Sequence, residues 1–132
     1  IDLNSILDQA YIALVNIVSP GYTYIHTVLV QDGPPLEVTQ FHYTSWPDHG
    51  VPSNGMSLIY FTQIVRKTHP QDDCCPLLVH CSAGVGRTGT FIVLDTMLDR
   101  MEQDGTVHIL DCVKHIRKQR VLLVQTLVSQ IQ

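Results

Sequence analysis

The stretch LLVHCSAGVGRTGTFIVL, residues 77–94, passes from an apolar run through a glycine-rich turn into a helical pattern. It contains G-x-G-x-x-G at Gly84, Gly86 and Gly89, a spacing associated with dinucleotide pyrophosphates. It also places Cys81 at the end of the apolar run, with Arg87 and Thr88 opening the helical pattern. The two patterns imply different cargo, either a cofactor's pyrophosphate or one phosphoryl group approached by sulfur.

A dinucleotide site needs strand, glycine turn, helix, second strand, and an acid about 20 residues on for the ribose. PLLVH, GVGRTG, the helical run, TVHIL and Asp111 comply superficially. A nicotinamide or flavin reading nevertheless puts the Arg87 guanidinium inside a turn where backbone should meet pyrophosphate, and three close glycines are as readily a tight loop with no ligand. Neither reading accounts for Cys81.

A nucleophile reading accounts for both residues. If the chain curls between Cys81 and Arg87 with its N–H groups inward and the helix starts near Arg87, it forms an anion nest at a helix N-terminus, with the glycines as bends. A free thiol has a pKa of about 8.5, which a helix N-terminus and a nearby cation lower toward a thiolate at neutral pH. Arg87 can then hold two phosphoryl oxygens and stabilise transition-state charge without a metal. His80 and the Thr88 hydroxyl are placed to orient Cys81. A lone cysteine is commonly inert core and a lone arginine a solvated charge; their joint spacing in the glycine loop favours chemistry.

The rest of the chain supplies the frame. Its 132 residues make one domain that buries roughly two thirds of its unfolded surface. With 45% hydrophobic and 15% charged residues and a net charge of -4, it has no electrostatic footprint for nucleic acid. Cys74, Cys75, Cys81 and Cys112 are too irregular for a disulfide framework and contain no C-x-x-C pair, so reduced thiols and a cytoplasmic setting are expected. No run reaches the roughly 18 apolar residues of a membrane span. The sequence starts at Ile1, as a piece of a longer protein would.

Helical spacing is present over 5–18, with Ser5 and Asp8 as a capping box, and again in MSLIYFTQIVRKTH at Leu58, Phe61, Ile64 and Val65. YTYIHTVLV (22–30), the turn QDGPP and LEVTQFHYTSW read as an antiparallel hairpin. PLLVH reads as a buried strand, followed by helices from about Arg87 to Gln103, closed by Gly105, and from about Asp111 to Arg120. Strands leading into helices define an α/β (α+β) domain.

A weakly acidic hydroxyl is a sluggish leaving group in phosphoryl transfer, so a proton donor should contribute roughly 10² to 10⁴ in rate. Asp48, in HYTSWPDHGVP, lies on a Pro- and Gly-flanked loop 33 positions before Cys81. Alone it would be a turn-forming residue; paired with the Cys81 loop, it is the candidate acid.

The thirteen residues VHCSAGVGRTGTF (79–91) resemble the signature loop of the protein tyrosine phosphatases, in the version of their tyrosine-specific branch. The resemblance implies that Cys81 attacks phosphorus to form a phosphocysteine. The amides of Ser82, Ala83, Gly84, Val85, Gly86 and Arg87, with the Arg87 side chain, would hold the phosphoryl oxygens, and Thr88 would assist release of Cys81. WPDHGVP is similar to the family's mobile acid loop, with Trp46 as hinge and Asp48 as acid. VLLVQT supplies Gln125 at the position of a water-positioning glutamine, whereas the family's second glutamine, four residues on, is replaced by Ser129, with Gln130 one step late.

The resemblance runs from about Tyr22 to Thr126 and corresponds to the C-terminal, catalytic-loop half of such a domain. It implies a partial phosphatase fold: a twisted mixed sheet flanked by helices, with the signature loop between a buried strand and a helix. The phosphotyrosine-recognition loop and a glutamate holding the signature arginine belong to the other half. Exposed apolar faces and weaker preference for tyrosine over phosphoserine are therefore expected. The implied function is phosphotyrosine hydrolysis on protein substrates, with no cofactor and no metal, in a chain whose parent could be a membrane receptor. The alternative is a catalytically impaired fragment that binds phosphotyrosine or serves as an interaction module.

Overall fold

The computed structural model describes residues 22–29, 36–47, 50–69 and 77–125. The expected helix over 5–18, the QDGPP turn, Asp48, Cys74, Cys75, Ser129 and Gln130 lie outside the described residues.

The hairpin is formed by β1 (Tyr22–Leu29) and β2 (Leu36–Tyr43), both rich in β-branched and aromatic residues. They pair antiparallel, Tyr22 opposite Tyr43 and Leu29 opposite Leu36. Three helices follow: α1 (Gly55–Thr68), α2 (Gly86–Asp104) and α3 (Ile109–Gln119). Asn54 starts α1, its Oδ1 accepting from the Met56 amide at 2.9 Å while its carbonyl accepts from the Ser57 hydroxyl at 2.7 Å. Gly105, in the left-handed conformation, ends α2.

The described residues divide into two compact units. One contains the hairpin and the last turn of α1, where Val65 is buried. The other contains the first part of α1, both later helices and the loops around them. Its core joins Val93 and Met97 of α2 to Val113 and Ile116 of α3 and to Leu123 and Val124 beyond. Burial of six apolar side chains stabilises this cluster by roughly 9–18 kcal/mol at about 1.5–3 kcal/mol each, before the entropy cost of ordering. Phe61 of α1 meets Phe91 of α2 edge to face, with ring centroids 6.1 Å apart.

One sequence expectation fails. Leu77–His80, read as the end of a buried strand, has no regular structure, and Leu77 and Leu78 are 41% and 60% exposed. A strand needs a partner for its N–H and C=O groups, and among the described residues the sheet is only the β1–β2 pair. Apolarity identified a segment suited to burial, but a ladder partner is a tertiary requirement.

Candidate active site

Residues 82–85 form a series of bends, with Gly84 at φ +66° and Val85 as the residue before α2. Gly84 occupies the left-handed region that disfavours side chains, and a Cβ there would also meet Arg120 Nη2 at 3.0 Å. The helix begins Gly86-Arg87-Thr88-Gly89, with no acidic residue in its first turn. Its positive end therefore remains available to an anion.

Thr88 is buried in that first turn, and its Oγ1 donates to Cys81 Sγ at 3.1 Å. Burial of the half-exposed thiol raises its pKa. Hydrogen bonds from the Thr88 hydroxyl and from the amides of Thr88, Gly84 and Val85 outweigh that effect, and the thiol lies below its ordinary range. Sequence reasoning attributed activation to a helix N-terminus and a cation; these named donors are a hydroxyl and backbone amides. These donors favour the charged form of the Cys81 sulfur over what burial alone would allow.

Arg87 is half-buried, and its Nη2 donates to the Pro47 carbonyl at 3.0 Å. That carbonyl immediately precedes Asp48 in sequence, so the arginine tethers the backbone at Pro47 although the two residues are 40 positions apart. His80, Ser82 and Ala83 are exposed beside the loop. Gln125 lies against the start of α2: a Cβ on Gly86 would stand 3.8 Å from both its Cβ and its Oε1.

The glycines have different jobs from those the sequence suggested. Of the three, Gly84 alone is a left-handed bend. Gly86 and Gly89 belong to α2. Gly89 permits contact with the segment after α3, since a Cβ there would collide with the Val124 nitrogen. The Val124 amide donates to the Val85 carbonyl at 3.1 Å, and the same carbonyl accepts from Gly89 at 3.0 Å.

Sequence reasoning missed Arg117 and Arg120 at the end of α3. The Arg120 guanidinium lies against Gly84, while Arg117 donates from Nε to the Leu123 carbonyl at 2.7 Å and from Nη2 to the Val124 carbonyl at 2.6 Å. No sequence motif signals these contacts; they depend on how the chain turns after α3.

A sulfur that accepts from a hydroxyl and backbone amides, with a guanidinium and a glutamine near the start of the same helix, is an arrangement suited to phosphoryl transfer. A family model described as protein-tyrosine phosphatase matches residues 10–131. Receptor-type tyrosine-protein phosphatase U of Gallus gallus is 50% identical over 90 residues, covering 68% of this chain and 6% of the relative. Receptor-type tyrosine-protein phosphatase zeta of Rattus norvegicus is 55% identical over 91 residues, covering 67% and 4%. Tyrosine-protein phosphatase 99A of Drosophila melanogaster is 48% identical over 89 residues, covering 67% and 7%. The chain belongs to the protein-tyrosine phosphatase family. It spans 4% to 7% of the length of these relatives. Among the described residues no helix is long and apolar enough to cross a membrane.

Proposed function

We propose that this chain provides the catalytic loop of an enzyme that hydrolyses phosphotyrosine in proteins through a phosphocysteine. The observation that carries the reading is the Cys81 sulfur, which accepts from Thr88 Oγ1 at 3.1 Å and from backbone amides that favour its thiolate. In the first step the thiolate forms the S–P bond as the P–O bond to tyrosine breaks. Asp48 gives its proton to the departing phenolic oxygen, while Arg87 and the amides of residues 82–87 hold the other phosphoryl oxygens. In the second step a water positioned by Gln125 bonds to phosphorus and the S–P bond breaks. The water proton passes to the Asp48 carboxylate, and Cys81 leaves as thiolate, assisted by Thr88. His80 orients Cys81 from the chain side.

The same proposal completes the hairpin into the twisted mixed sheet of the family and places the domain in the cytoplasm, where its thiols stay reduced. The decisive experiment is hydrolysis of a phosphotyrosine peptide by the purified chain and by Cys81→Ser. Turnover confined to the native chain supports the reading, and equal turnover by both sinks it. A binding-only role draws its motive from Ser129, where the family has a glutamine. That role predicts vanadate binding without turnover.

A further inference from the structure

The turn between α3 and Gln125 is strained. Leu122 has φ +66° and Val124 φ +58°, both in the left-handed region. A residue with a side chain pays about 1–2 kcal/mol there, and a β-branched valine is poorly suited to it. Such conformations persist only where surrounding contacts over-determine them, and they concentrate at functional sites. Here the contacts are named. Leu123 and Val124 are buried, the Val124 amide reaches the Val85 carbonyl, and Gly89 leaves room for the backbone. The half-buried Arg117 guanidinium then takes the two carbonyls immediately before Gln125, at 2.7 and 2.6 Å. Charge-assisted bonds of that length are strong restraints on the turn.

We propose that Arg117 is a positioning residue for the second chemical step, acting through the carbonyls of Leu123 and Val124 to keep Gln125 beside Gly86. The inference rests on the phosphocysteine reading above and adds to it the device that holds the glutamine. Without the clamp, strain at Leu122 and Val124 lets the turn relax and carries Gln125 away from the water. The first step uses Cys81, Arg87 and Asp48, whereas the Arg117 bonds fall on the two carbonyls before Gln125, so the two steps should respond differently.

The test is rapid-mixing kinetics on the full chain with p-nitrophenyl phosphate. Phenol release reports phosphocysteine formation, and steady-state turnover reports its hydrolysis. Arg117→Lys, which cannot bridge both carbonyls in a planar fork, is expected to lower kcat about ten- to hundredfold. The burst rate constant should stay within about twofold of native, with a larger burst amplitude, as in Gln125→Ala. The Arg117→Lys, Leu122→Gly double variant, in which glycine accepts φ +66° without strain, is expected to recover part of the lost kcat. Thermal melts establish folding of each protein.

An unchanged kcat, or burst rate and kcat falling in proportion, overturns the proposal. So does loss of a cooperative melt in both the single and the double variant, because Arg117 would then hold the fold rather than the glutamine. Absence of phenol release from the native chain is a different result: it removes the phosphatase reading and this inference with it.

Discussion

Cys81 is pulled in two directions by its surroundings. Burial disfavours the charged sulfur, whereas the Thr88 hydroxyl and three amides favour it, and the donors win. Thr88→Ala removes the side-chain donor and should move the pH profile of iodoacetamide alkylation upward; Thr88→Ser should restore it. An alkylation profile identical in all three proteins would remove the hydroxyl from the account. The same shift links to stability. Because the folded-state pKa is depressed, the sulfur's contribution is fully present above the unfolded thiol pKa. It is lost as pH falls through the folded value. Denaturant melts of the native chain should therefore gain stability with rising pH across that interval relative to Cys81→Ser, and parallel curves would contradict this. The sequence made Cys81, Arg87 and Thr88 legible because all three lie within one short loop. It gave no hint that Arg87 would donate to the Pro47 carbonyl, a contact that depends on a separate loop returning to the site.

Among the elements, the junction of α2 with the turn after α3 has the least tolerance. Gly89→Ala would drive a methyl into the Val124 nitrogen, so backbone must move. A loss of about 1–3 kcal/mol is expected, measured as a shift in urea midpoint. A variant as stable as the native chain would show that the junction is loose. Leu122→Gly should act oppositely. Release of left-handed strain exceeds the extra backbone entropy of glycine, for a net gain of up to about 1 kcal/mol in the same measurement. Leu122 is 62% exposed, so little packing is lost. The positions of the three described helices were readable from periodicity to within a residue or two, and Gly105 gave the end of α2. The third glycine was misread because close approach of a distant backbone leaves the same residue in the sequence as a bend does.

For the whole molecule, the prediction concerns coupling of the cradle to folding. Vanadate at about a hundredfold excess over its dissociation constant should stabilise the chain by about 2.7 kcal/mol and raise the melting midpoint by about 5–15 °C. Arg87→Ala should abolish the shift, and a native midpoint indifferent to vanadate would show that no cradle forms. Leu77 and Leu78 illustrate the limit of reading a sheet from sequence. Their apolar run predicts burial, yet a strand exists only where another chain segment pairs with it. By itself the sequence determined the family, the candidate nucleophile and the candidate arginine for phosphate, the hairpin and the three described helices. These depend on contiguous motifs and on the periods of side chains along one element. Tertiary structure alone decided which donors bring the thiol down, why Gly89 must be glycine, and that Arg117 restrains the segment leading to Gln125. Those contacts join residues that neither lie in one motif nor share one period, and only packing of α2 against α3 and its following turn brings them together.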